Sequence, residues 1–212
     1  MTVSPRRALI VIDVQNEYFT GNLQIEYPPS SQSLANITRI MDAASAAGVP
    51  VVAIQQDSPA DGPAFAVGSH GWELHAEVAR RPHDALFHKP LPSAFSETGL
   101  GDWLQGQGVD TVTVIGYMTH NCNDTTIKHA FDRGLAVEFV HDASGAVSYA
   151  NHAGYASAEE IHRVFSVVEQ SRFAAVLSTE EWLHALATGE APVRDNVLDS
   201  YRAAQALRRS AA

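Results

Sequence analysis

Residues 111–122 read TVTVIGYMTHNC. The first seven form a β-branched run of strand length. A run of this kind, without polar alternation, fits a strand covered on both faces. Met118, Thr119, His120 and Asn121 then carry the chain into Cys122, at the head of a helix read over Asn121 to Arg133 and stopped by Gly134. A strand that feeds a helix through a short turn is the repeating unit of a parallel α/β sheet.

The same alternation continues in both directions. Toward the N-terminus, ALIVIDV (8–14), VPVVAIQ (49–55) and the weaker DALFHK (84–89) read as strands; toward the C-terminus, AVEFVHD (136–142) and FAAVLS (173–178) do. Helices are read over 33–47, 98–105, 157–170 and 179–187, and Ser157 with Glu160 fits a capping box. The pattern predicts an α/β fold with helices on both faces of a parallel sheet, joined by right-handed crossovers. Segment 56–71, rich in Pro, Gly and small residues, reads as a loop over the sheet edge. Residues 1–190 are expected to form one domain. Residues 191–212 are expected to be a helical tail at an oligomer interface, given the apolar Val193, Leu198 and Leu207.

Composition narrows the function. The 212 residues are 45% hydrophobic and 18% charged, with a net charge of -10. That is an ordinary globular balance. No basic stripe suggests a nucleic-acid partner. No run approaches the roughly 18 apolar residues of a membrane helix. One cysteine excludes an internal disulfide, and no secretory signal is visible, so a cytoplasmic location is expected.

In an open parallel sheet, ligands bind beyond the carboxyl ends of the strands. Asp13 ends the first strand, Lys89 the third, and Cys122 follows the fourth. These groups make a mechanism together. A helix N-terminus and a nearby ammonium should draw the Cys122 thiol below its usual pKa of ~8.5. Asp13 can take the thiol proton and return it to a leaving group. Free N–H groups of the turn can bind an oxyanion. Each residue alone has a plainer reading: Asp13 as a turn cap, Lys89 as a solvated charge, Cys122 as a small core residue.

Four segments together resemble the isochorismatase-like cysteine hydrolases: LIVIDVQNEYF (9–19), HKPLPSAFSETGLGDWL (88–104), GYMTHNCNDTTIKHAFDRG (116–134) and VEFVHDASGA (137–146). The resemblance implies a Rossmann-like three-layer α/β/α sandwich around a six-stranded, mostly parallel sheet. It maps a catalytic triad onto Asp13, Lys89 and Cys122. It implies a cis Tyr117–Met118 bond that turns the Met118 N–H toward the same oxyanion as the Cys122 N–H, helped by Lys89. Many members of the family hydrolyse small amides, and the resemblance also implies a homo-oligomer.

Nicotinamidases in that family carry Asp-x-His after the second strand and bind a metal. Here the segment reads Gln55-Gln56-Asp57-Ser58-Pro59, so neither a metal nor any other cofactor is expected. Asn123 stands where Val is common in the family. Tyr18, Gln55, Trp72, Phe95 and Asn121 are the expected substrate-binding residues, with His120 turned to solvent. The preferred activity is cysteine-dependent hydrolysis of a small carboxamide. The alternatives are enol-ether hydrolysis through Asp13 without a covalent intermediate, and a non-catalytic ligand-binding role.

Overall fold

A computed structural model describes residues 4–210. Six strands form one parallel sheet: β1 (Arg7–Ile12), β2 (Val51–Gln56), β3 (Ala85–Lys89), β4 (Thr111–Tyr117), β5 (Ala136–Gly145) and, as the last strand, Ala175–Leu177. Between β5 and that last strand lie two short strands, β6 (Tyr149–Asn151) and β7 (Gly154–Ala156), paired as an antiparallel hairpin, so the last strand of the sheet is β8. The order across the sheet is β3-β2-β1-β4-β5-β8. Chain direction across the sheet reverses at β1, so its carboxyl end and that of β4 flank the switch point where such sheets bind ligands.

Alternation along the strands builds two apolar layers. Leu9 and Val11 face one side, where Ile37, Ile40 and Met41 of α2 (Ser30–Ala46) and Trp182 of α7 (Thr179–Thr188) cover them. Ile10 and Ile12 face the other. There they meet Leu100 and Leu104 of α4 (Leu100–Gly106) and Ile127 and Ala130 of α5 (Asp124–Asp132). The result is the three-layer sandwich expected. At the end of the sheet away from Asp13, a buried ion pair locks the layers. Arg7 Nη2 lies 2.9 Å from Glu138 Oε1, while Thr113 Oγ1 and Trp182 Nε1 donate to Glu138 Oε2 at 2.7 and 3.0 Å. The carboxylate is thus paired and hydrogen-bonded, the condition under which a buried charge is tolerated.

Several elements differ from the sequence reading. β5 runs three residues beyond 142, and β8 is only three residues long. The β6–β7 hairpin and the single-turn helices α1 (Glu17–Thr20) and α3 (Ala76–Ala79) were not read, because none is long enough to show a period. α6 (Ala158–Gln170) begins with the capping box of Ser157 and Glu160. The tail forms α8 (Val197–Ser210), which buries no residue and leaves Leu198, Tyr201 and Leu207 exposed. Among the described residues no helix is long and apolar enough to cross a membrane.

Candidate active site

Asp13 follows the last residue of β1 and is fully buried. Its N–H still donates to Ile54 O at 2.9 Å, but its φ is +50°. That left-handed turn ends the pleat immediately after Ile12. Non-glycine residues held there cluster at functional sites. Next to it, Gly116 of β4 has φ +99°, and a Cβ there would lie 2.1 Å from Ile12 O. Only glycine lets β4 approach β1 this closely.

Lys89, the last residue of β3, is also fully buried. Its Nζ lies 2.8 Å from Asp13 Oδ2, donates to Cys122 Sγ at 3.3 Å and donates to Gln56 Oε1 at 2.6 Å. An ammonium has three protons, and each has a protein partner. Lys89 thereby links Asp13 and Cys122. Apart from the Lys89 ammonium at 2.8 Å, neither Asp13 oxygen has an aligned donor among the described residues. The carboxylate therefore keeps the acceptor capacity a base needs.

Cys122 does not sit at an α-helix N-terminus. Residues Thr119–Asn123 form a π-helical turn ahead of α5, so Cys122 lies inside the first coil. Single π turns recur at functional sites. The thiol is 5% exposed. Burial raises its pKa well above the usual range, and the Asp13 carboxylate raises it further, against the opposing pull of Lys89. Against the expected low-pKa thiolate, burial and the carboxylate favour the neutral thiol, because the Lys89 charge is shared with Asp13 2.8 Å away. Burial likewise raises the Asp13 carboxyl, against Lys89. Burial alone would lower Lys89, but Asp13 and Cys122 hold its pKa above the ordinary lysine value.

The turn itself is held by buried polar contacts. Thr119 Oγ1 lies 2.7 Å from Ser144 Oγ and 2.8 Å from His162 Nδ1, and donates to Gly145 O at 3.1 Å. Asn123 Nδ2 donates to Gly116 O and Ser144 Oγ at 2.8 and 2.9 Å, so this residue secures the turn to β4 and β5. The Tyr117–Met118 bond is cis. Met118 O accepts N–H bonds from Asn121 and Asn123, both at 3.1 Å. Among the described residues the Met118 N–H has no acceptor.

The expected substrate-binding residues fall into distinct places. Tyr18 packs between Phe65 and Tyr117, with ring centroids 5.0 and 5.3 Å away. Burial, then Cys122 and Asp13, raise its phenol. Gln55 donates to Trp72 O at 2.8 Å and Trp72 Nε1 donates to Asp57 Oδ1 at 2.7 Å, so the two fasten the 57–75 loop. Phe95 lies in the apolar layer that contains Cys122, its ring 5.0 Å from His129. Asn121 is half-buried in the π turn. His120 does not face solvent: both ring nitrogens are buried, and Tyr149 and Phe165 cover the ring at 5.0 and 6.0 Å.

Two residues near the site escaped the sequence reading. Gln56 touches Lys89 only because β2 and β3 pair in the register Gln56↔Lys89, which no local pattern fixes. Tyr149 stands on the β6–β7 hairpin, where Cys122 contributes to raising its phenol after burial. Its signal was the short turn between two Tyr-Ala pairs, Tyr149-Ala150 and Tyr155-Ala156. Among the described residues no three His, Cys, Asp or Glu side chains gather as metal ligands.

Comparison with known proteins gives a consistent picture. A family model, the isochorismatase domain, matches residues 7–181. A solved protein of Burkholderia xenovorans LB400, described as an isochorismatase, is 61% identical and superposes with a TM-score of 0.96 over 97% of this chain and 99% of its own. Streptothricin hydrolase of Streptomyces noursei is 34% identical over 142 residues, which is 66% of this chain and 55% of that protein. Nicotinamidase of Escherichia coli K12 is 27% identical over 183 residues, 68% of this chain and 85% of that enzyme.

Proposed function

The chain belongs to the isochorismatase family of hydrolases, and on that premise we propose that it hydrolyses a small carboxamide through a thioester on Cys122. The observation that carries the reading is the Lys89 ammonium set between Asp13 Oδ2 and Cys122 Sγ. Two of the relatives named above, a nicotinamidase and a streptothricin hydrolase, are hydrolases by name, and the first is named for an amide.

In this mechanism the thiol does not ionise in advance. Asp13 takes its proton as Sγ attacks the amide carbon, so a raised thiol pKa is matched by a buried base at contact distance. Lys89 keeps Asp13 ionised and offsets the negative charge that passes from carboxylate to sulfur. The N–H groups of Met118 and Cys122 receive the carbonyl oxygen as it becomes an oxyanion. When the tetrahedral intermediate collapses, Asp13 gives its proton to the departing amine. Water, deprotonated by Asp13, then attacks the thioester; the acid leaves and the thiol is restored. Tyr18 and Tyr149 flank the bound amide.

The test is ammonia release from a panel of small primary amides by wild type and Cys122→Ala. Activity of the variant below ~0.1% of wild type supports covalent catalysis. Full activity in the variant would sink it. A second reading draws on the raised Asp13 carboxyl: a protonated Asp13 could serve as general acid on an enol ether. In that case Cys122→Ala stays active on an isochorismate-type ether and Asp13→Asn does not.

A further inference from the structure

We propose that Gln56 is a positioning residue of the Cys122 centre: its side-chain carbonyl takes the third proton of Lys89 and so fixes the ammonium between Asp13 and Cys122. The proposal rests on Cys122 being the nucleophile. It does not depend on which bond the enzyme cleaves.

Three observations carry it. The first is distance: Lys89 Nζ donates to Gln56 Oε1 at 2.6 Å, a short hydrogen bond. The second is orientation. Lys89 has only donors, so the oxygen end of the Gln56 amide must face it. The nitrogen end is tied down separately, donating to Asp57 O at 2.9 Å. The amide cannot turn over without losing both contacts. The third is the backbone. Gln15 Oε1 accepts the Gln56 N–H at 2.9 Å and Gln15 Nε2 donates to Gln56 O at 3.0 Å. Gln15 is fully buried and lies two residues after Asp13. The base, the cation and the amide between them therefore share one rigid frame.

The physical role follows from burial. Lys89 has no exposed surface, so a proton without an acceptor there would carry a desolvation penalty. Removing Gln56 Oε1 leaves the cation free to rotate toward Asp13 or to give up a proton. Either outcome withdraws the positive charge that favours ionised sulfur. The charged and titratable groups around Lys89 are Asp13 at the end of β1, Asp57 after β2, Cys122 in the π turn and Tyr18 of α1. Gln56 adds an acceptor to this set without adding a charge. A glutamate of the same shape would add a second carboxylate beside Lys89.

The experiment is the rate of Cys122 alkylation by iodoacetamide, followed by intact mass, from about pH 6 to about pH 10, which covers the range of an ordinary thiol and approaches that of lysine. Wild type is compared with Gln56→Glu and Gln56→Met, each checked for a cooperative thermal transition. The expected result is a drop of at least ~10-fold for Gln56→Met at a pH below the thiol pKa, equal to one unit in that pKa; Gln56→Glu, which keeps an acceptor and adds a charge, reports the electrostatic effect separately. A folded Gln56→Met variant with the wild-type profile would overturn the proposal, since an oxygen acceptor for Lys89 at this place would then be dispensable. If Gln56→Met does not fold, Gln56→Asn, which keeps the polarity but withdraws the oxygen from Lys89, decides by the same readout. The readout needs no substrate. A shifted profile alongside an inactive amide panel would uphold the positioning role and defeat only the amide reading.

Discussion

The side-chain amide of Gln15 pairs with the backbone of Gln56 through both its ends, accepting the Gln56 N–H at 2.9 Å and donating to Gln56 O at 3.0 Å. A strand neighbour would make the same two bonds, but β1 has already ended at Ile12. Gln15 thus continues the ladder with a side chain, and the main chain stays free to turn Asp13 into the site. Gln15→Leu would strand two backbone groups, each worth ~1–3 kcal/mol when left unpaired in the interior. The expected loss is about 2–4 kcal/mol of unfolding free energy by urea titration, with a larger fall in kcat than in substrate affinity. Unchanged stability and turnover would show that the clamp has no such role.

Lys89 and Asp13 form an ion pair with no exposed surface on either side. Removing one partner of such a pair leaves a buried, uncompensated charge and costs ~3–5 kcal/mol. Lys89→Met is expected to lose about that much and to become inactive. The double variant Asp13→Asn with Lys89→Met should recover most of the stability and none of the activity. A double variant no more stable than the single one would mean that packing, not charge, is at stake.

The pH behaviour of the thiol has a definite sign. Burial and then Asp13 push the Cys122 thiol up, so the free enzyme is expected to hold a thiol at neutral pH. Alkylation by iodoacetamide near pH 7 should be slower than for a small free thiol, whose pKa is ~8.5, and should still be rising above pH 9. Amide turnover should instead follow the ionisation of Asp13, whose carboxyl is also raised, with activity lost on the acid side. An alkylation plateau below pH 8 would show a preformed thiolate and contradict this assignment.

How much of this was legible in the chain differs by residue. Unbroken apolar runs identified β1, β2 and β4 most clearly, since a strand buried on both faces writes its position into consecutive residues, whereas the edge strand β3 alternates half-buried with exposed residues and left only the weaker DALFHK signal. Asp13, Lys89 and Cys122 were legible because each stands where a recognised strand stops. Gln56 was not, because its contact with Lys89 depends on the β2–β3 register rather than on any neighbour in sequence. The balance of charges on the thiol was not legible for a similar reason. The sequence shows that Lys89 is cationic, but not that its charge is already matched by Asp13 at 2.8 Å. The β6–β7 hairpin, three residues a side, is too short for periodicity to reveal.

Gly116 is expected to tolerate no side chain. Its φ of +99° strains any L-residue, and a Cβ would stand 2.1 Å from Ile12 O and 2.8 Å from Ile12 N. Both obstacles are backbone, so no rotamer change relieves them. Gly116→Ala should cost at least ~2 kcal/mol through backbone strain and overpacking, and β4 should move away from β1 at the point where Asp13 and the π turn meet. A wild-type melting temperature for this variant would contradict the close approach.

Glu169 gives the clearest pH effect on stability. It is fully buried on α6, its carboxylate oxygens lack aligned partners, and the Lys128 ammonium is 3.9 Å away. Burial, reinforced by Asp124, raises its pKa to about 9. A carboxyl raised on folding binds a proton that the unfolded chain has already released at neutral pH. Its contribution is therefore complete below the unfolded value near ~4.3 and is lost as pH rises through about 9. Wild type should melt lower at pH 8.5 than at pH 6, and Glu169→Gln, which cannot ionise, should remove much of that difference. Each ~1 kcal/mol corresponds to ~2–4 °C for a chain of this size, so thermal scans at the two pH values resolve it. An equal pH dependence in wild type and Glu169→Gln would mean that Glu169 ionises in the folded protein as it does in the unfolded chain, with Lys128 compensating its burial.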